Sequence, residues 1–502
     1  MHYGITLKGQ GSAWHSELNL SSAAATGKRL SQYFHRCFDQ NFPAFDPIKL
    51  ATVKKNDITL TTSKPLNSTP ILKTMKNKII PQGYLYPKGY TNYIFVLLFL
   101  LYMFDYIDRS VVTSMFVYIE KDFGITHSQS GLLMSAVYWA IVLLTFPVSI
   151  LVDRWNRTKT IGIMAVLWSL ATALCALTGN FMQLLFTRAL IGVGEAGYAP
   201  GGTAVISGLY PEDKRSKMMG LWNASIPMGT AIGVLLGGII ATRLGWKHAF
   251  GLVALPGLII AVLFFFVKDY KTVDLSFTDN QNQKTKMKIK DIAKQFLSRP
   301  SLILTYFGFA SVVFVSTSLI TWLSTYFHVT RNVPVEKAGS MASAVMVLAI
   351  VGAPLGGYIT DQWRKTNVRA RLLLPTISSL LSAVFLLVAL WFTKGKVQYI
   401  FFLLMGVTLT AFVPAAAAVT QDVIHAGLRA MSYAIAVVVQ NLLGASTAPF
   451  VIGKMYDIYD IKTALSLLPF MLLLGAILFY TGSHFYLKDL GKTAKIKLEA
   501  EV

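Results

Sequence analysis

The 502-residue chain is 54% hydrophobic and 14% charged, with a mean hydropathy of +0.53. Soluble domains carry about 25% charged residues, so the composition excludes an ordinary soluble protein and indicates a polytopic membrane protein. The formal net charge of +22 invites a nucleic-acid partner, but where the charge sits matters more than its sum.

Residues 1–89 contain no apolar run of the kind a signal peptide needs. The stretch is polar and Lys-rich, with prolines at 43, 47, 65, 70, 81 and 87, and reads as a disordered basic cytoplasmic tail. Initiation at Met75 is the alternative reading. From there twelve runs reach the roughly 20 apolar residues that a span requires. Six lie near 92–116, 131–152, 160–178, 181–208, 218–241 and 247–267; six more lie near 302–327, 338–360, 371–392, 398–421, 430–453 and 463–487. The expected division is a six-helix half over 90–270, a cytoplasmic loop over 271–300, a second half over 301–488 and a cytoplasmic tail over 489–502.

With the N-terminus inside, the inner segments hold 35 Lys and Arg, the outer loops 9 and the spans 2. That asymmetry puts both termini in the cytoplasm and makes the positive charge loop charge facing anionic lipid. Nothing then remains to support nucleic acid as a partner. Cys37 and Cys175 give no disulfide framework.

An internal repeat marks the halves. Ser149 leads to Asp153, Arg154, Trp155, Asn156 and Arg157 after the second run; Gly357 leads to Asp361, Gln362, Trp363 and Arg364 after the eighth. An aspartate at a helix end can pair with neighbouring helix termini.

Charges inside the spans point to work, because they are costly in hydrocarbon and normally face a bundle interior or an aqueous cavity. In residues 187–200, Arg188 and Glu195 are two helical turns apart on nearly one face, roughly 10 Å along the axis. Asp108 and Arg109 lie deep in the first run, with Asp105 one turn earlier in reach of Arg109. For Asp105 and Arg109 the bland reading is snorkelling to the outer interface. A carboxyl in a low-dielectric cavity holds its proton more tightly, and a nearby guanidinium loosens it. Moving Arg188 relative to Glu195 would therefore link protonation to conformation. Glu195 and Asp108 are expected to titrate and Arg188 to act as the switch or anion-binding charge; a static ion pair that only fixes packing is the alternative.

The run from Ser225 has glycines at 229, 233 and 237 and Pro227, which permit close helix approach and bending. In the second half the polar intramembrane residues are neutral. Trp322, Tyr326, Gln440 and Asn441 are expected to form a solute wall with Arg109, Tyr138, Tyr198 and Asn223. Such a cavity, charged on one side and neutral and aromatic on the other, suits a solute with a polar head and a less polar body. His248, His328 and His484 lie at span ends without metal-ligand spacing, no cofactor is expected, and Gly192-Val-Gly194 follows no strand.

Twelve runs in two halves with these repeated loops resemble the major facilitator superfamily. That resemblance implies an all-α membrane fold of two pseudo-symmetric six-helix halves, no enzymatic activity, and a monomer. Its loop pattern is matched at Asp153, Arg154 and Arg157, with Ser149 and Asn156 in place of glycines; the second copy keeps Gly357 and Asp361. The resemblance implies that these residues gate the cytoplasmic side.

Asn92-Tyr93 to Asp108-Arg109-Ser110-Val111-Val112, together with residues 188–196, are similar to the Spinster-like branch, and also to the anion:cation symporters for sugar acids. The first similarity implies that Asp108, Arg188 and Glu195 couple protons to the movement of a small organic solute. Expected is a proton-coupled secondary transporter in a bacterial inner membrane, for an amphiphilic or anionic solute. Alternatives are a sugar-acid symporter, or a transporter-derived sensor using the 89-residue tail as output.

Overall fold

A computed structural model describes strand segments within residues 2–60, and residues 86–154, 157–268, 295–424 and 428–492. It divides into two units, residues 1–83 and 84–502.

In the first unit, β1 (His2–Gly9) pairs antiparallel with β2 (Ser12–Asn19), Gly9 opposite Ser12. Next, β3 (Val53–Lys54) pairs antiparallel with β4 (Asp57–Leu60), which runs parallel to β1. The rest of the stretch expected as a disordered tail, up to residue 85, lies outside the described residues. Tyr3, Ile5 and Leu7 alternate with Gly4, Thr6 and Lys8, a strand period that long hydropathy windows average away.

Among its described residues the second unit holds twelve helical elements. α1 spans Lys88–Val111 and continues through a 3₁₀ turn, Val112–Met115, into Phe116–Phe123. Then come α2 (His127–Arg154), α3 (Arg157–Cys175), and α4, which is Phe181–Glu195 resumed as Tyr198–Leu209. Next, α5 joins Glu212–Asn223 to Ser225–Leu244, and α6 is Trp246–Phe265. The second half has α7 (Pro300–Arg331), α8 (Val335–Arg364), α9 (Ala370–Leu387 with a π turn, Val388–Phe392) and α10 (Gly395–Thr410, then Val413–Asp422). It ends with α11 (Arg429–Val439, a π turn at Gln440–Ala445, then Ala448–Ile458) and α12 (Ile461–Leu465, then Leu468–Gly491).

Among the described residues, ten of these are long and apolar enough to cross a membrane. The other two, α1 and α4, carry the intramembrane charges Asp105, Asp108, Arg109, Arg188 and Glu195. α12 also runs through Asp489, inside the stretch expected as tail.

The two halves repeat one packing scheme. α1 lies on α5, α2 on α4 and α3 on α6; six helices later, α7 lies on α11, α8 on α10 and α9 on α12. Glycines set these contacts. A Cβ at Gly229, Gly233 or Gly237 of α5 would meet the carbonyl oxygen of Met103, Ile107 or Val111 of α1. Likewise a Cβ at Gly192 would meet the carbonyl of Val137, and one at Gly406 that of Val345, equivalent contacts in the two halves. Small residues at such crossings let backbones approach within lipid, where burial of apolar surface contributes little.

An even number of crossings returns Gly491 to the end at which Lys88 starts; we call this end proximal and the other distal. The halves meet towards the distal end. Gly131 of α2 abuts Pro449 of α11, and Gly453 abuts the backbone of His127 and Ser128. On the other flank, Ser343 of α8 donates to Ala231 O of α5 at 2.8 Å, and Arg243 pairs with Glu336 at 3.1 Å. The distal side is closed.

Candidate functional site

The charged site is built on α1. Tyr102, Asp105, Tyr106 and Arg109 follow at three- and four-residue spacing and so share one face. Arg109 is 8% exposed and Glu195 3%. The Arg109 guanidinium donates from Nε to Glu195 Oε2 at 2.7 Å, and from Nη2 to Asp105 Oδ2 and Oδ1 at 2.8 and 3.0 Å. It lies 4.6 Å from the ring centre of Tyr106 and 5.8 Å from that of Tyr138. Asp105 is fully buried, which removes the snorkelling reading.

Arg188 does not pair with Glu195, contrary to the sequence expectation. Its Nε donates to Leu133 O at 3.1 Å, Nη1 to Asp108 O at 2.9 Å and Nη2 to Arg109 O at 3.1 Å. The reason lies in α1. Its α-helical hydrogen bonding stops at Val111, and the last carbonyls of an α-helix have no partner within it. Thr113 Oγ1 covers Ser110 O, and Arg188 covers the two carbonyls before it. A cation at a helix C-terminus also meets the favourable end of the helix dipole. Arg188 is a cap that binds α1, α2 and α4 together.

Asp108 points the other way, towards α3, where Thr172 Oγ1 donates to its Oδ2 at 3.2 Å. Two carboxylate oxygens of the cluster, Asp108 Oδ1 and Glu195 Oε1, have no hydrogen-bond partner among the described residues. With every group ionised, Asp105, Asp108 and Glu195 against Arg109 and Arg188 leave the buried set one negative charge in excess.

Proximal to the charges lies an aromatic layer. Tyr102 stacks on Trp222 with centroids 4.3 Å apart and leans on Tyr198 at 5.3 Å; Trp168 meets Tyr198 edge-on at 5.4 Å. The hydroxyl of Tyr198 and the indole N–H of Trp222 both donate to Leu98 O, at 2.5 and 3.4 Å.

The remaining sequence candidates are dispersed. Asn223 is exposed beside the interruption of α5. Gln440 and Asn441 form the π turn of α11, half-buried, with Gln440 Oε1 lacking a partner among the described residues. Trp322 is fully buried, donates to Pro449 O at 3.1 Å and packs on Phe116 at 5.2 Å. Tyr326 is buried too and accepts from Gln398 Nε2 at 2.8 Å. These two aromatics serve the distal packing in this state. Asp361 is exposed; the side chains of Asp153, Arg154 and Arg157 lie outside the described residues.

The model of the Major Facilitator Superfamily matches residues 98–449. The chain belongs to the major facilitator superfamily. It is 28% identical over 426 residues to Protein spinster homolog 1 of Xenopus laevis, covering 79% of this chain and 81% of that one. It is 27% identical over 293 residues to the hexuronate transporter of Bacillus subtilis strain 168, covering 58% of this chain and 69% of the relative. Among solved structures, it superimposes with a TM-score of 0.71 on a bacterial homolog of the human lysosomal transporter Spinster in an inward-facing, unoccupied conformation. That match covers 80% of this chain and 99% of the other at 20% identity.

As a facilitator protein the chain is a multi-pass membrane transporter and not an enzyme. Within its fold, Asp105, Tyr102, Tyr106, Trp168, Thr172 and Trp222 complete the site around the expected charges. The 102–105–106–109 spacing was the available signal for the first three. Trp168, Thr172 and Trp222 come from α3 and α5 and needed the packing.

Proposed function

We propose that the protein is a proton-coupled secondary transporter that moves an anionic or amphiphilic organic solute by alternating access. The observation that carries this reading is the bond between Arg109 and Glu195 within a buried set holding one more carboxylate than guanidinium. A solute carboxylate or phosphate that takes the Arg109 guanidinium leaves Glu195 without its counter-ion. A bare carboxylate in that setting is expensive, so solute binding and protonation of Glu195 go together. One anion and one proton then cross as a neutral pair. Asp108, with one free carboxylate oxygen, is the second proton site, and Arg188 holds the frame in which the exchange occurs.

The aromatic layer of Tyr102, Trp222 and Tyr198, and the neutral Gln440 and Asn441 of the other half, support a solute with a less polar body. Similarity to Spinster proteins points the same way. The 27% identity to a hexuronate transporter, together with a guanidinium suited to a carboxylate, favours a sugar-acid solute as the second reading. The Lys and Arg distribution supports cytoplasmic termini, so that the proximal end faces the cytoplasm, and a bacterial inner membrane remains the proposed location.

Uptake into proteoliposomes under an imposed pH gradient tests the proposal. A panel of sugar acids and lysolipids should include one class whose uptake rises with an inward proton gradient and collapses with a protonophore. Uptake of every member that ignores the gradient would refute coupling.

A further inference from the structure

The distal closure contains a cluster that the solute site does not use. α2 starts at His127, and the backbone N–H groups of His127 and Ser128 donate to Asp457 Oδ1 and Oδ2 at 2.7 and 2.9 Å. These amides are among the unpaired donors of a helix N-terminus, and the carboxylate that takes them stands on α11, in the other half. The His127 ring lies flat on Tyr456, with centroids 3.7 Å apart and planes at 11°, and edge-on to Trp322 of α7 at 6.4 Å. Its Nδ1 is 3.0 Å from Glu120 Oε1, at the end of α1. The side chain is 31% exposed, so distal solvent reaches it. The other clasp between the halves, Arg243 with Glu336, is more open to solvent, and such exposed pairs contribute little.

We propose that Asp457 and His127 are the distal gate residues of the transport cycle: the carboxylate clasps the start of α2 across the two halves, and a proton on the His127 ring tightens the clasp. The inference rests on the alternating-access reading above. The groups facing the ring are Glu120 from α1, Asp457 and Tyr456 from α11, and Trp322 from α7. The approach of Nδ1 to Glu120 is an ion pair only when the ring carries its second proton. A doubly protonated ring sits between carboxylates of both halves and gains from each. Opening the distal side removes Asp457 and Tyr456 together, so the charged ring loses more on opening than the neutral one. Acid in the distal compartment therefore favours the closed state, and a less acid one favours opening.

Spin labels at Lys121→Cys and Lys454→Cys, in the full chain with Cys37→Ser and Cys175→Ser, report the distal separation between halves in lipid nanodiscs. A control pair at Lys121→Cys and His248→Cys lies within one half and reports an intact fold. The expected result is a short distance that dominates at pH 5.5 and a longer one that grows at pH 8. Asp457→Asn should raise the long-distance fraction by about two- to fivefold at both pH values, the effect of one carboxylate at a helix N-terminus. His127→Gln should abolish the difference between pH values, and Glu120→Gln should shrink it. Unchanged distances in Asp457→Asn would overturn the clasp. A full pH difference persisting in both His127→Gln and Glu120→Gln would overturn the histidine's part. A single fixed distal distance in the wild type at every pH, with and without solute, would overturn the gate together with the reading it rests on. PH-driven uptake lost while the distances still switch would touch the proposed coupling alone and leave the gate standing.

Discussion

The guanidinium of Arg188 donates to the backbone carbonyl of Arg109 at 3.1 Å, while the side chain of Arg109 takes Glu195 at 2.7 Å. One arginine thus serves as scaffold for the other. Two residues of the same charge, both buried, divide the work of capping a helix and holding a carboxylate.

That division separates stability from coupling. Arg188→Lys cannot span carbonyls on two helices, so some are left unpaired in a dry interior. A loss of about 2–4 kcal/mol is expected, from hydrogen bonds to a charged group at about 1.5–3 kcal/mol each, partly retained by the lysine. Fluorescence-detected size-exclusion after heating should show a lower midpoint, while surviving protein keeps its pH-dependent uptake. Arg109→Lys should show the reverse pattern.

Glu195→Gln removes the excess negative charge from the buried set. Exchange of labelled for unlabelled solute, which requires no net proton movement, should continue within a few-fold of wild type. Uptake driven by a pH gradient should be lost. Gradient-driven uptake at wild-type rates in this variant would assign the proton elsewhere.

At the distal seam, Gly131 has no room for a side chain, because a Cβ there would meet Pro449 O. Gly131→Val should therefore act as a wedge between the halves, at a cost typical of overpacking, about 1–3 kcal/mol, applied to the distal-closed state alone. Cysteines placed on the distal ends of α2 and α11 should become faster to alkylate. Gly395, at a positive φ of 62° with open space around it, is the control, since strain there touches one loop only.

Asp460 lies between α11 and α12 and caps the latter, its Oδ1 accepting from Thr463 N at 2.5 Å. That backbone hydrogen bond holds the carboxyl below the usual carboxylate range. A depressed carboxyl stabilises the fold above its unfolded-state value, and the contribution fades as pH falls through the folded value. Asp460→Ala should cost at most about 1 kcal/mol at neutral pH, the usual worth of an N-cap, and nothing under strongly acid conditions. Thermal midpoints at neutral and acid pH, compared with wild type, measure the difference.

Hydropathy alone placed all twelve crossings, because a bilayer imposes one length and one polarity on every span. It also singled out Asp108, Arg109, Arg188 and Glu195, which the structure buries in one cluster. What it could not supply was the pairing. Arg188 and Glu195 share a helix face, yet the carbonyls left open by the end of α1 claimed Arg188, and nothing in the local spacing announces where an α-helix turns into a 3₁₀ one. The partners of Trp322 and Tyr326 were hidden for a similar reason. Their hydrogen-bonding ends are satisfied by Pro449 and Gln398, from helices far along the chain.

The interruption of α4 falls at Ala196 and Gly197, directly after Glu195, so the carboxylate rides on the final turn of a rod and not in its middle. Any bend between the two rods would therefore carry the acid with it. The joint itself is packed, since a Cβ at Gly197 would meet Val148 and Met164, so any re-aiming of the acid has to move α2 and α3 with it.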